Sequence, residues 1–383
     1  MVAHHHQPLR HLPLFPHIAS LLKANVVLVV AFLAACVTSV IVPPDIAYLG
    51  YFDFKTLTCL FCTLAIICAL RNIRFFTVIA EKLVSLTGSI RRAILAILCI
   101  TFIGSMLIAN DMALITFLPL GYLVLSTTGQ EKHMAFTFIM QNIAANLGGM
   151  LTPFGNPQNL FLYNKFTIPT GEFMSIMLLP FLVAIGLIVL SCFLFVKDQP
   201  ITLQKKDDAH LPAKRTALYL VLFALSIVIV FRVIPYVIGL ILIPAVLIVA
   251  DRKALKQVDY GLLLTFVCFF IFAGNMSRID AVNNLLSTLL NKNPLLVSAL
   301  SCQVISNVPS AILLSEFTGN YRDLLLGVNV GGTGTLIASL ASLITFRTYT
   351  SHYKGKTLSF LGLFSLISFA FFGILLTFCL IIQ

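Results

Sequence analysis

A passage that interrupts helices occurs twice within the apolar sequence of this chain. Residues 146–153 read NLGGMLTP and residues 329–336 read NVGGTGTL. Clustered Gly, Pro, Asn and Thr leave backbone groups unpaired, and hydrocarbon has no groups that could pair with them. Helix breaks at matching places in two halves of a membrane protein are typical of a transporter's substrate site. The duplication therefore predicts two related halves that meet at a binding site.

The composition places the chain in a membrane. Of its 383 residues, 59% are hydrophobic and only 10% are charged, whereas a soluble domain has about 25% charged residues. Apolar stretches of about 17–25 residues recur along the chain and predict an all-α polytopic membrane protein with about 9–11 membrane segments. A β-barrel would show short alternating segments instead. The net charge of +11 reflects Lys and Arg in short loops, so nucleic acid is not an expected partner.

The loop charges predict the organisation of the chain. Residues 1–22 form a cytosolic tail, 23–196 the first repeat half and 216–383 the second. The polar residues 197–215 form a cytosolic linker between the halves, and residues 71–92 form a basic cytoplasmic loop. With basic loops inside, the N-terminus is cytoplasmic and the C-terminus lies outside. The expected location is the inner (cytoplasmic) membrane of a bacterium.

Each half contains a hairpin and a broken helix in the same order. The predicted re-entrant hairpins span residues 93–126 and 294–317, and the predicted broken helices span 133–164 and 322–346. The equivalent residues Asp53 and Asp259 fall outside in one half and inside in the other. The sequence therefore predicts an inverted-topology repeat whose hairpins enter from opposite sides.

The hairpin tips supply the first candidate site residues. An amide such as Asn110 or Asn307 can offer its oxygen to a cation and its NH2 group to an anion, and Ser306 adds a hydroxyl. The alternative is a hydrogen bond between packed helices. Asp111 has Val308 as its counterpart, and an ionisable group at membrane depth marks a functional site by default.

Three roles remain open for Asp111. Burial favours the protonated form of a carboxyl group, so Asp111 could exchange a proton. It could instead stay ionised and hold a sodium ion together with Asn110 and Asn307. The third alternative is that it caps the free backbone N–H groups of the hairpin.

A second set of candidates lies in the two breaks and just after them. Glycines there let the backbone face a ligand, hydroxyls and amides add polar contacts, and the helix N-termini made by such breaks suit an anion. The alternative is close helix packing with no ligand. The candidates are Asn146, Gly148, Gly149, Thr152, Asn156 and Asn159 in the first half and Asn329, Gly331, Gly332, Thr335, Ser339 and Ser342 in the second.

The motifs of common enzymes are missing from the sequence. It contains neither a His/Glu metal motif, nor a Walker loop, nor a Ser–His pair. We therefore expect that the chain is not an enzyme and needs no cofactor other than sodium as a coupling ion. Because no ATP-binding module is present, an ion gradient or a partner would have to drive any pumping.

Four stretches carry a resemblance to a known superfamily. They are SMLIANDMALITFLPL (105–120), NLGGMLTPFGNPQNL (146–160), SNVPSAILLSEF (306–317) and GVNVGGTGTLIASLASLITF (327–346). They resemble the ion-transporter superfamily, which includes arsenite permeases, divalent-anion:sodium symporters, citrate-type carriers and some sodium/proton antiporters. The nearest resemblance is to citrate-transporter-like anion permeases.

The resemblance implies a scaffold subdomain, a moving transport subdomain, an elevator mechanism and a homodimer. In the sodium-coupled branch each hairpin tip carries Ser-Asn-Thr. Here the tips read Ala-Asn-Asp at 109–111 and Ser-Asn-Val at 306–308. An Asn-Asp pair is more similar to the arsenite branch and to the proton-linked antiporters, so the substrate does not carry over from the resemblance.

These observations predict a secondary active transporter in the lipid bilayer. It would move a small inorganic or carboxylate anion, coupled to H+ or Na+ through Asp111. One alternative is a cation/proton antiporter in which Asp111 exchanges the ions. An alternative of another class is a non-transporting membrane scaffold or lipid-handling protein that uses the repeat only for packing.

Overall fold

The regular structure of the protein is helical. A computed structural model describes residues 26–201 and 211–383. The predicted tail and the central part of the predicted linker lie outside the described residues. Within the described ranges the chain forms eighteen α-helices, numbered α1–α18 below, and three short 3-10 helices. This confirms the prediction of an all-α polytopic membrane protein.

The first half contains eight helices, and each predicted apolar segment coincides with one or two of them. A 3-10 turn at Gly149–Leu151 directly follows α6 and begins the break that precedes α7. The helices are α1 (Val26–Ile41), α2 (Phe54–Asn72), α3 (Phe75–Ser85), α4 (Ile90–Ile108), α5 (Asn110–Thr127), α6 (Met134–Gly148), α7 (Pro157–Lys165) and α8 (Thr170–Phe195).

The second half repeats this order after three helices, α9, α10 and α11. From α12 onward, each helix has a counterpart in the series that begins with α2. The helices are α9 (Ala213–Val230), α10 (Tyr236–Ala250), α11 (Arg252–Lys256), α12 (Tyr260–Ser277), α13 (Asp280–Lys292), α14 (Pro294–Ile305), α15 (Asn307–Leu314), α16 (Tyr321–Val330), α17 (Leu340–His352) and α18 (Thr357–Ile381).

Seven of the described helices are long and apolar enough to cross a membrane. They are α2, α4, α5, α8, α9, α12 and α18. Three shorter apolar helices, α1, α10 and α14, have 10–17 residues. The remaining apolar segments are the interrupted pairs α6–α7 and α16–α17, each of which is split by a break.

The sequence missed the helices α3 and α13. Residues 71–92 were expected to form a loop, but 75–85 are helical, and the helix at 280–292 was not predicted at all. Both helices are short and amphipathic, so their charged residues resemble those of a loop. In α13, Asp280 lies in the first turn and Lys292 in the last, where each charge interacts favourably with the helix dipole.

The two hairpins turn at residues with the same unusual backbone. Ala109 joins α4 to α5 with φ 66° and ψ 151°, and Ser306 joins α14 to α15 with φ 74° and ψ 159°. Residues other than Gly seldom adopt this region, and it costs about 1–3 kcal/mol. Each following Asn accepts the next backbone N–H through Oδ1, from Asp111 at 3.0 Å and from Val308 at 2.9 Å. The paired geometry is independent support for the repeat.

Each broken helix packs closely against the first helix of its own hairpin. A Cβ atom at Gly148 would overlap the carbonyl oxygen of Phe102 in α4, and one at Gly331 would lie 2.8 Å from the carbonyl oxygen of Ala299 in α14. These glycines are therefore required for close approach of the backbones.

Polar contacts join helix ends that the loop charges place on the same side. On the predicted outer side, Arg278 binds Asp45 at 2.7 Å and Lys165 binds Glu316 at 2.7 Å. On the predicted inner side, Asn72 donates to Asp251 at 3.0 Å. Which side is cytoplasmic stays a prediction.

The Asp45–Arg278 pair also makes this end of the protein sensitive to acid. The Arg278 guanidinium holds the pKa of the exposed Asp45 carboxyl below its ordinary value of 3.8. A depressed pKa contributes stability above the unfolded value, and this contribution is lost as the pH falls below about 3.8.

We expect Ala109→Gly to stabilise the protein by about 1 kcal/mol. The substitution removes about 1–3 kcal/mol of strain and costs about 0.5–1 kcal/mol in the entropy of glycine. Thermal unfolding in detergent measures the effect. Ala96→Gly, within the regular helix α4, is the control and should destabilise by about 1 kcal/mol. A loss of stability in both variants would contradict the strained turn.

Candidate functional site

In the first break, a side chain donates hydrogen bonds to carbonyl groups that have no helical donor. After the 3-10 turn at 149–151, the chain is irregular until α7 begins, with Asn156 as the residue before the helix. Asn159 donates its Nδ2 to the carbonyl oxygens of Gly149, Met150 and Thr152 at 3.1, 3.2 and 3.3 Å. One buried amide therefore serves three carbonyl groups that the break leaves without helical partners.

The second break is served by a residue from the neighbouring hairpin. Gln303 in α14 donates its Nε2 to the carbonyl oxygens of Gly331 and Thr333 at 2.8 and 3.1 Å. Its Oε1 accepts the N–H of Thr335 at 2.9 Å. Gln303 is not among the residues predicted from the sequence, because nothing in its apolar surroundings indicates which backbone groups it reaches.

Asparagines from both halves meet between the two breaks. Asn329 donates to Asn159 Oδ1 at 2.6 Å, and its own Oδ1 accepts from Asn156 at 3.4 Å. Asn156 also donates to the carbonyl oxygen of Asn146 at 3.3 Å. All four side chains are at most 2% exposed. The breaks, far apart in sequence, therefore form one buried polar centre.

The hairpin tips connect to this centre. Asn110 donates to Asn146 Oδ1 at 3.1 Å, which ties the start of α5 to the first break. The backbone N–H of Asn307 donates to the Ala338 carbonyl oxygen at 2.9 Å, directly before the start of α17. Asn142 then joins the halves by donating to Ser342 Oγ at 3.2 Å.

Four helices therefore begin at or beside one hydrogen-bonded network. They are α5 at Asn110, α7 after Asn156, α15 at Asn307 and α17 after Ser339. The first N–H groups of a helix lack helical partners and carry partial positive charge. A set of such helix starts inside a membrane protein is suited to an anion.

The predicted hydroxyl and glycine candidates have structural partners. Thr152 donates to the Met106 carbonyl oxygen at 2.8 Å and Thr335 to that of Gln303 at 3.0 Å, so each fastens a break to its hairpin. Ser339 and Ser342 lie 3.1 Å apart at the start of α17. Gly149 abuts Asn156, and Gly332 abuts the Asn307 amide.

The Asp111 backbone N–H donates to Asn110, but its carboxylate faces away from the amide network. It lines a cavity of about 30 Å³ between the first hairpin, α2, α7 and α12. Its Oδ1 is buried and has no hydrogen-bond partner among the described residues. The remaining predicted tip residue, Ser306, donates to the Ala338 carbonyl oxygen at 3.3 Å. The structure therefore separates the carboxylate from the asparagines.

Comparison with known proteins agrees with this architecture. A family model described as citrate transporter (CitMHS) matches residues 18–320, which is most of the chain and includes both hairpins and the first break. The chain belongs to the citrate transporter family. The family is one of membrane transporters, which supports a transport function over a scaffold that uses the repeat only for packing.

Three relatives of this transporter span similar parts of it. An uncharacterized transporter of Methanocaldococcus jannaschii is 34% identical over 298 residues, covering 77% of this chain and 81% of that protein. The inner membrane protein YbiR of Escherichia coli is 30% identical over 281 residues, covering 71% and 74%. A 46 kDa membrane protein of Mycobacterium leprae is 25% identical over 353 residues, covering 80% and 81%.

We expect Asn329→Ala to destabilise the transporter by about 3 kcal/mol. The change leaves Asn159 Oδ1 without its donor at 2.6 Å and Asn156 with only its acceptor on Asn146, and a buried group left unpaired costs about 1–3 kcal/mol. Thermal unfolding in detergent measures the loss. The exposed Asn283→Ala is the control and should cost less than about 0.5 kcal/mol. Equal stability in the two variants would show that the network does not hold the halves together.

Proposed function

We propose that this transporter is a secondary active permease for a small inorganic or carboxylate anion. The observation that supports this most directly is the joining of four helix starts by one buried network. Asparagine NH2 groups and helix N–H groups surround the two breaks, and an anion could accept hydrogen bonds from them in place of the protein oxygens that they now reach. Formal positive charge is not needed for such a site, because the aligned dipoles favour negative charge.

Asp111 is the proposed coupling residue. It lies next to Asn110 at the tip of the first hairpin, while the matching position in the second half is apolar Val308. Its unpartnered, buried Oδ1 can take a proton or contact a sodium ion, which removes an uncompensated charge from the interior. Binding of the coupling ion at Asp111 would therefore stabilise the conformation in which the first hairpin holds the ion.

An elevator movement of a homodimer fits the way each hairpin is fastened to its break. Thr152 joins the first break to α4, and Gln303 joins the second break to α14. Each hairpin and its break would consequently move as one body. We propose that these two units form the transport subdomain and that the remaining long helices form the scaffold.

A cation/proton antiporter is the second candidate function. The observation that favours it is the cavity at Asp111, which is lined by a second carboxylate, Asp259. In this reading the cation replaces the proton at Asp111, and the amide network only holds the broken helices. The two candidates differ in whether an anion binds.

Uptake by the reconstituted transporter tests whether the substrate is an anion. Citrate and a panel of inorganic and dicarboxylate anions are supplied to proteoliposomes under an inward gradient of H+ or of Na+. We expect one anion to accumulate only with one of the two gradients. Asn307→Ala should abolish uptake and still fold, with the exposed Asn283→Ala as control.

The role of Asp111 is tested in the same vesicles. Asp111→Asn should reduce gradient-driven accumulation by at least about tenfold, because the amide cannot exchange a proton and binds a cation weakly. Downhill exchange of the anion should persist. Unchanged accumulation in this variant would contradict the coupling role. Cation flux without any anion uptake would instead establish the antiporter.

A further inference from the structure

A small cavity brings together two carboxylates from different halves. Its lining includes Asp111 at the first hairpin tip and Asp259, the residue before α12. The cavity measures about 30 Å³, which is room for one or two particles the size of water. The rest of its lining is mainly apolar, and Phe154 and Leu160 come from the first break and α7.

Asp259 differs from its repeat counterpart in a way that leaves one oxygen available. Asp53 accepts the Thr56 N–H at 2.9 Å and also accepts the Thr56 hydroxyl, so both of its oxygens are bonded. Asp259 accepts the Leu262 N–H at 2.9 Å. Leu262 stands where Thr56 does and has no hydroxyl to donate. Within residues 26–201 and 211–383, the second oxygen of Asp259 has no hydrogen-bond donor and is therefore available to a ligand.

A third oxygen comes from a threonine with an unused hydroxyl. Helical threonines here usually donate to the carbonyl four residues earlier, as Thr101 and Thr116 do at 2.8 Å. Thr63 in α2 lines the cavity and is 7% exposed, yet its Oγ1 has no partner within the described part of the chain. The buried hydroxyls of Thr137 and Thr345 also have no partner among the described residues, but these two residues do not line the cavity. A buried hydroxyl without a partner is costly.

The charges around the cavity favour a monovalent cation. Asp111 and Asp259 are the charged residues in the cavity lining, which contains no Lys or Arg, and the Arg71 guanidinium comes within 3.7 Å of Met112 Sδ at its edge. Over residues 26–201 and 211–383, no group of three or more His, Cys, Asp or Glu side chains is placed to hold a metal ion. The neighbouring elements carry further charged or titratable groups: Lys55 on α2, Arg252, Lys253 and Lys256 on α11, Asp251, bonded to Asn72, Glu81, paired with Arg74, and His352, stacked on Tyr122.

We infer that Asp111, Asp259 and Thr63 form the binding site of one small monovalent cation. Sodium and hydronium share the required chemistry, since sodium coordinates oxygen atoms and hydronium donates a hydrogen bond to each of up to three oxygen atoms, and both fit a volume of this size. The inference rests on the proposed transport function, for which it names the place of the coupling ion. Because Asp259 follows the basic helix α11, which the charge distribution predicts to lie on the cytoplasmic side, this ion would be exchanged with the cytoplasm.

The experiment compares cation binding by the full-length transporter and two charge variants. Asp259→Asn removes the proposed ligand, and Asp53→Asn makes the same change at the matching helix start. Asn caps a helix about as well as Asp does, so both variants should fold. Thermal unfolding is followed in choline chloride at pH 8 as sodium chloride replaces choline, and again in choline alone from pH 8 to pH 5.

We expect saturable stabilisation by sodium in wild type and Asp53→Asn, with the apparent affinity lowered at least about tenfold in Asp259→Asn. Thr63→Val should lower it about fivefold. If sodium has no effect, stabilisation by acid in wild type and Asp53→Asn that is lost in Asp259→Asn would identify hydronium. If the thermal stabilities of Asp259→Asn and Asp53→Asn respond in the same way to sodium and to acid, the proposed site is wrong. Anion uptake that persists in that case would leave the proposed function intact.

Discussion

Every backbone polar group at membrane depth needs a partner, and the whole centre of this transporter depends on how that need is met. Where α6 and α16 stop, the carbonyl groups that follow lose their helical donors. Asn159 supplies donors for the first break and Gln303 for the second. Without these amides, the irregular segments would carry unpaired groups that cost several kcal/mol each in hydrocarbon. Side chains therefore make the breaks stable.

The side chains that donate to these carbonyl groups also connect elements that are distant in the sequence. Gln303 belongs to the second hairpin, and Thr152 bonds to a carbonyl group of the first. Gly148 and Gly331 allow each broken helix to lie against its hairpin without side chains between them. The same contacts that satisfy the backbone thus join each hairpin to its break, which is the unit that an elevator mechanism would move.

The two halves share a backbone design but differ in chemistry. Ala109 and Ser306 have nearly the same φ and ψ, and each is followed by an Asn that accepts the next N–H. Asp111 nevertheless stands opposite Val308, and Leu262 opposite Thr56. A symmetric framework with a charge on one side only can couple an ion to the movement without two competing ion sites.

The sequence by itself determined the membrane class, the order of the hairpins and breaks, and the paired Asn110 and Asn307, because hydrophobic length and helix-breaking residues act locally. It failed at α3 and α13, since a short amphipathic helix resembles a charged loop. Only the tertiary structure decided that Asn329 meets Asn156 and Asn159, and that Asp259 and Thr63 share a cavity with Asp111. These contacts join residues 48 to 196 positions apart, so they depend on how the helices pack and leave no local pattern in the chain.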